Sequence, residues 1–385
     1  MDAKPMDAKQ GLEGVVAAAT RLSSVDGEAG VLLIAGFPVE NLAPLATFEE
    51  TAYLLWNGAL PGAAELAAFS RRLASRRTLP AATLDLLRAA AARRVAVMDA
   101  LRMAAGTLSL ADGAGQDAQE DAATLTAAFP TIVASYQRLL EGEEPLTPRE
   151  DLGHTASFLY LLTGEEPSAE RVRGLETYLN TVIDHGFNAS TFTARVIIST
   201  RSDLISAVTG AVGALKGPLH GGAPGPALDM VFEIGSADRA ETVLREKLGR
   251  GERLMGFGHR IYRVRDPRAD VLAEAAARFY KGSGEAGGDA ALYDLARAVE
   301  ATALRLLREH KPDRPLDTNV EFYTALLLHG LGLPTELFTP LFAVGRVAGW
   351  VAHCLEQLAH GRLIRPQSEY VGERDRRWVP VEERR

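Results

Sequence analysis

Four short segments carry residue types that packing alone does not explain. In residues 217–225, GPLHGGAPG, His220 stands among glycines and prolines just before a helix expected from about Pro226. Backbone N–H groups and the positive end of a helix dipole disfavour an imidazolium there, so His220 is suited to act as a neutral hydrogen-bond donor. A turn-capping histidine is the competing reading, since a glycine-rich turn is a weak signal. In residues 255–270, MGFGHRIYRVRDPRAD, His259, Arg260, Arg263, Arg265 and Arg268 crowd around two glycines and an Asp-Pro turn. Arginine's planar fork pairs with carboxylates and phosphates, so the cluster suits a polyanionic ligand whose approach the glycines allow. A solvated basic loop is the alternative.

Residues 317–330, DTNVEFYTALLLHG, place Glu321 near a helix start. It is either a general base or the partner of Thr318 in a capping box, whose spacing the pair has. Within residues 335–366, Arg346 lies between Phe342 and Trp350 on a helix that is apolar nearly all round and therefore buried. Its charge needs a distant carboxylate or a bound anion. Arg365, before Pro366, falls past the helix end, where an exposed arginine is unremarkable. His185 in DHGFNASTFTARV reads as the last turn of a helix, either satisfying carbonyls there or binding a ligand. His353 and His360 share a helix face seven residues apart, but with no carboxylate beside them in sequence a metal site is not expected. His154, His310 and His329 carry no local signal.

The elements that must hold these residues are almost all helical. Val172, Leu175, Leu179 and Val182 form one stripe of a helix that should stop near Gly186. Residues 206–216 repeat small side chains four apart, Gly210 with Ala214 and Ala207 with Ala211, which lets two helices approach closely, within the chain or between subunits. Residues 31–34 are the only good strand, followed by Gly36 and Pro38 in a small hairpin. KGSGEAGG, residues 281–288, reads as the clearest flexible loop.

Length and composition bound the rest. A chain of 385 residues suggests two or three domains. With 47% hydrophobic and 24% charged residues it has an ordinary globular composition, and no apolar run reaches the roughly 20 residues of a membrane span. A net charge of -8 gives no reason to expect nucleic-acid binding, and Arg71, Arg72, Arg76 and Arg77 read as a solvated helix face. MDAKPMDAKQG lacks the pattern of a signal peptide, so a cytoplasmic address is expected. Cys354 is the single cysteine, which excludes an intrachain disulfide and a thiolate metal cluster.

Taken together, GPLHGGA, MGFGHRIYRVRDPRAD, NVEFY and GRVAGWVAHCLEQ followed by RLIRP resemble the citrate synthase family, in the same order and at similar separations. VDGEAG, FEETAYLLWNGALP and LTGEEPS fit too, and the likeness runs from about Gly11 to about Gly372. The resemblance implies an all-α, two-domain homodimer with a minor N-terminal β-hairpin. Residues 1–218 and 320–385 would form the large domain and 219–319 the small one, closing over a cleft. It implies that His220 bonds the thioester carbonyl of an acyl-CoA, Glu321 removes the α-proton, and His259 donates to the ketone of oxaloacetate. His185, Arg268, Arg346 and Arg365 would join His259 in binding oxaloacetate, Arg365 from the other subunit. Coenzyme A would lie along Leu254, Met255, Gly256, Phe257 and Gly258, with Arg263 near its phosphates. No permanently bound cofactor and no metal are implied.

The chain departs from the family pattern where Glu321 stands for the usual Asp and Gly186 for a common acidic residue. A family branch combines NVEFY with GGAP, as here at Pro224, so Glu321 is expected to be that branch's base. Acetyl-CoA and propionyl-CoA differ by one methylene, worth about 1–3 kcal/mol, so citrate and 2-methylcitrate formation both stand. A weakly active or inactive paralogue that binds the same ligands is the third possibility. The chain lacks the additional N-terminal region of family members inhibited by NADH, so a dimer without that control is expected.

Overall fold

The computed structural model describes residues 10–12, 14–221, 225–281, 289–312 and 316–384. Most of the MDAKPMDAKQG segment, Pro224 and residues 282–288 of the expected loop lie outside them. The described chain is helical apart from one small antiparallel sheet, in the order β1 (Ser23–Asp26), β2 (Val31–Ile34) and β3 (Phe37–Pro38). The expected hairpin is therefore present, with a third strand. The tight turn between β1 and β2 is built by Asp26, whose Oδ1 accepts the N–H groups of Glu28 and Ala29 at 3.0 and 2.9 Å. Gly27 in that turn has no room for a Cβ, which would collide with the carbonyl of Ile261, and its own carbonyl accepts the N–H of Arg263 at 2.8 Å. The hairpin thereby braces the basic loop.

The helix Phe338–His360 is the axis of the molecule. Helices Phe48–Asn57, Ala118–Glu141, Ala169–Val182, Ala189–Ser199 and Leu204–Leu215 pack around it. Leu341, Val344, Trp350, Val351 and Cys354 on it are fully buried. With its lead-in turn it has the length and mean hydropathy of a membrane span without being an unbroken apolar run, and 89% of the relevant window is buried inside the protein. Gly345 and Gly349 on this helix have no space for a Cβ. At Gly349 it would strike the carbonyl oxygen of Ile183, and at Gly345 it would lie 2.7 Å from Val182 Cγ2. These two positions let the helix lie directly on residues 179–184.

That contact also ends the neighbouring helix early. Ala169–Val182 stops at Val182, whose carbonyl accepts from Nε of Arg346, and the chain then turns through Gly186 at φ 60°. His185 is consequently beyond the helix and not in its last turn. The small residues of Leu204–Leu215 serve an internal pair: Gly210 is pressed against Ile197 of Ala189–Ser199. The arginine cluster is only partly a solvated face. Arg72 and Arg76 pair with Glu120 on the surface, whereas Arg77, past the end of helix Ala63–Ala74, is 1% exposed and donates to the carbonyls of Arg149 and Leu152. Cys354 is sealed in the core, and burial pushes its thiol up to about 12.

Candidate active site

Three buried or half-buried rings meet where the 183–186 turn faces the basic loop. The ring centroids of His185 and His259 are 5.7 Å apart, those of His259 and Tyr262 4.8 Å, and Nε2 of His185 lies 3.1 Å from the Tyr262 hydroxyl. Nδ1 of His259 accepts the backbone N–H groups of Ile261 and Tyr262 at 3.0 and 3.1 Å. Two donors on Nδ1 fix the tautomer, so Nε2 carries the proton. Nη2 of Arg268 lies 3.5 Å from that Nε2. Two donors thus face the same space, which favours an acceptor, and an anionic one, between them.

Arg268 is 3% exposed and is gripped by Asp266, Nε to Oδ1 at 3.0 Å and Nη2 to Oδ2 at 2.8 Å. Asp266 Oδ2 also accepts the N–H of Val320 at 3.3 Å, which ties Arg268 to the helix Val320–Gly330 that carries Glu321. Arg346 is 1% exposed, with its guanidinium 4.5 Å from the Phe342 ring and no carboxylate among the described residues in ion-pair contact. Burial lowers its pKa to about 10, with Asp184 acting the other way. Of the two explanations left open for this buried charge, Asp184 supplies the distant carboxylate. Burial, reinforced by Arg268 and Arg346, holds His185 far below the ordinary histidine value. Burial and Arg268 bring His259 down to about 4, so both rings are neutral at pH 7.

Glu321 does not cap its helix. Asn319 is the N-cap, its Oδ1 accepting the Glu321 N–H at 2.9 Å, while the Thr318 hydroxyl donates to Glu300 at 2.7 Å. The Glu321 carboxyl is left available, and burial pushes it up to about 7 against the opposing influence of Arg268. A carboxylate half-ionised near neutrality is poised for proton transfer. His220 is half-buried, and its Nε2 accepts the backbone N–H of Ser190 at 3.3 Å with the Ser190 hydroxyl at 2.7 Å. Trp350 fixes that hydroxyl through Nε1 at 3.1 Å. With Nε2 so occupied, Nδ1 carries the ring proton, and burial together with Arg346 holds the ring neutral, at about 4.

The glycines of the basic loop serve a different approach from the one expected. Gly256, at φ 87°, lies against Phe322, and Gly258, at φ 82°, against Leu316. Backbone bonds complete the seam: Gly258 N–H to Asp317 O at 2.7 Å and Asn319 N–H to Gly256 O at 2.9 Å. The loop bearing His259 and Arg268 and the turn bearing Glu321 are therefore one stitched unit. Arg265 is taken out of the presumed anion cluster by Glu300 at 2.7 Å and by Asp270.

His220, His259, Glu321, His185, Arg268 and Arg346 form one electrostatically coupled group. Arg365 and Arg263 do not join it. Both are exposed, Arg365 on the extended segment after the long helix. The Leu254 side chain is packed in the core, while Met255 and Phe257 are half-buried. Sequence reading missed Tyr262, Asp266, Ser190, Asp184 and His353. Tyr262 and Asp266 stood inside the basic motif; the other three are joined to their partners only by the fold. His353 does have a carboxylate beside it, Asp184, at 3.1 Å.

Neutral donors, two buried guanidinium groups and a carboxyl half-ionised near neutrality are the equipment of an enzyme that makes and traps a carbanion-like intermediate. The family model for the citrate synthase C-terminal domain matches residues 11–367. The citrate synthase of Haloferax volcanii is 43% identical over 98% of this chain and 99% of its own length. The 2-methylcitrate synthase of Shewanella oneidensis is 40% identical, covering 97% of each chain. A citrate synthase from Thermoplasma acidophilum, solved as a ternary complex with carboxymethyl coenzyme A and oxaloacetate, superposes with a TM-score of 0.85 at 29% identity, over 97% of this chain and 98% of that one. The chain belongs to the citrate synthase family, and is an acyl-transferring enzyme.

Proposed function

We propose that this chain condenses acetyl-CoA with oxaloacetate and hydrolyses the resulting thioester, releasing citrate and coenzyme A. One observation carries the reading: the Nε2–H of His259 and the guanidinium of Arg268 face the same space, on a loop stitched to the turn that presents Glu321. Glu321 takes a proton from the acetyl α-carbon while Nδ1–H of His220 donates to the thioester carbonyl oxygen. The enol carbon attacks the ketone carbon of oxaloacetate, and His259 donates to the ketone oxygen as it gains charge. Water then cleaves the citryl thioester. A thioester α-proton is a very weak acid, so donors placed on the developing oxyanion are the main requirement, and exclusion of water protects the intermediate. His185, Arg268 and Arg346 bind the carboxylates of oxaloacetate in this scheme.

Several assignments extend the reading. Glu321 serves as base in place of the family's usual Asp, with the cleft absorbing the additional methylene. Arg365, exposed on its own subunit, completes the oxaloacetate site of a partner in a homodimer. Coenzyme A lies along residues 254–258 with Arg263 at its phosphates, and residues 219–319 act as the small domain closing on 1–218 and 320–385. A cytoplasmic address goes with this reading.

The likeness to a 2-methylcitrate synthase at 40% identity supports propionyl-CoA as a second acyl donor. Thiol release from acetyl-CoA and propionyl-CoA at saturating oxaloacetate separates the two. A higher kcat/KM for acetyl-CoA is expected; a higher value for propionyl-CoA makes the product 2-methylcitrate, and no release with either overturns the condensation reading.

A further inference from the structure

Behind the oxaloacetate pocket lies a chain of buried polar groups that the reaction scheme does not use. Asp184 and His353 are 0% exposed, Arg195 2% and Gln357 4%. Arg195 Nη1 lies 2.7 Å from Nδ1 of His353, and Arg195 is itself balanced by Glu356 at 2.8 Å. A guanidinium only donates, so Nδ1 of His353 is the acceptor, and the proton of its ring sits on Nε2. That Nε2–H is shared by both carboxylate oxygens of Asp184, each at 3.1 Å. Donor direction is therefore fixed along the whole chain, from Arg195 through His353 to Asp184.

The arrangement matters because of what Asp184 does not touch. It immediately precedes His185, and it is the carboxylate whose charge acts on Arg346. Arg346 nevertheless has no ion pair among the described residues; its Nε is spent on the Val182 carbonyl and its face on Phe342. A buried carboxylate whose charge reaches a buried unpaired guanidinium is drawn towards it unless other donors hold it, since leaving such charges uncompensated is costly. The donors here are His353, seven residues along the same helix as Arg346, and, from the hairpin, the side chain of Ser23.

We propose that His353 is a positioning residue that holds Asp184 away from Arg346, keeping that guanidinium open for a carboxylate of oxaloacetate. The inference rests on the oxaloacetate reading given above. Arg195 sets the ring's tautomer, and Asp184 supplies long-range charge balance without competing for the site. Released from His353, Asp184 becomes an internal competitor of the substrate.

Calorimetric binding of oxaloacetate, read together with KM for each substrate, tests this. His353→Leu is expected to weaken oxaloacetate binding about tenfold, the scale of one hydrogen bond to a charged group, while KM for the acyl-CoA stays within about twofold. His353→Asn, too short to reach Asp184, gives the same reading should the apolar variant not fold. His353→Gln, which retains a donor, is expected to bind as wild type does. Adding Asp184→Asn to His353→Leu or to His353→Asn removes the competitor and is expected to restore oxaloacetate affinity, a recovery that mere loss of packing would not show. Unchanged affinity in His353→Leu and His353→Asn, or a loss that Asp184→Asn does not relieve, overturns the inference while wild-type binding leaves the functional reading standing. Absence of oxaloacetate binding by the wild type overturns both.

Discussion

The two sides of the site are built differently. The side assigned to oxaloacetate is set into the core: Arg346, Arg268 and His185 are 1%, 3% and 6% exposed, and each is fixed by partners that are themselves buried. The side assigned to the acyl-CoA is shallower, with His220 half-buried and Arg263 exposed. On that assignment a small dicarboxylate would meet side chains already fixed in place, whereas the larger ligand would meet a surface that still has to be covered before water is excluded.

Five measurements would break or sharpen that contrast. Glu321→Gln is expected to lower kcat by about a thousandfold, the mid-range for loss of a general base, with oxaloacetate affinity retained because the side chains assigned to oxaloacetate are untouched. Turnover retained in steady-state assays would remove Glu321 from the chemistry. Gly349→Ala forces a Cβ into the Ile183 carbonyl and is expected to cost at least the 1–3 kcal/mol typical of overpacking, by denaturant unfolding, with oxaloacetate binding falling alongside. Weakened acyl-CoA binding alone would mean that the core side does not hold oxaloacetate.

The pH dependence has a definite sign. The Glu321 carboxyl is raised from 4.5 to about 7, so below that pH the base is protonated and kcat/KM is expected to fall about tenfold per unit, with its midpoint near 7. The neutral histidines, at about 4, contribute only far below it. Because the folded value is raised, the stability linked to Glu321 is fully present below its ordinary value of 4.5 and is lost as pH rises through about 7. Glu321→Gln should therefore be no less stable than wild type at pH 8 in thermal melts. Arg263→Ala is the smallest case: an exposed cation is worth about 0.2–1 kcal/mol, so KM for the acyl-CoA should rise at most about fivefold, less in high salt, with oxaloacetate unaffected.

What the sequence disclosed depended on how locally each feature was encoded. The helical architecture, the β2 strand and the motif histidines could be read because period and spacing carry them within a few residues. Thr318 and Glu321 show the limit: their spacing fits a capping box, yet a tertiary partner, Glu300, takes the threonine hydroxyl and Asn319 caps instead. His185 was misplaced within its helix for a similar reason, since the glycine face of a helix more than 150 residues away ends that helix. Asp184 and His353 are 169 positions apart, and no local pattern announces such a pair. The glycines at 256 and 258 were visible, but whether they approach a ligand or another part of the chain is decided only by the fold.

Cys354 has a consequence for how this molecule can be watched. Its thiol is fully enclosed and pushed up to about 12, so a thiol reagent that records coenzyme A release draws no background from the folded chain. The same reagent, in the absence of substrates, labels the chain once only when the central helix is laid bare, which makes the single thiol an internal clock for global opening.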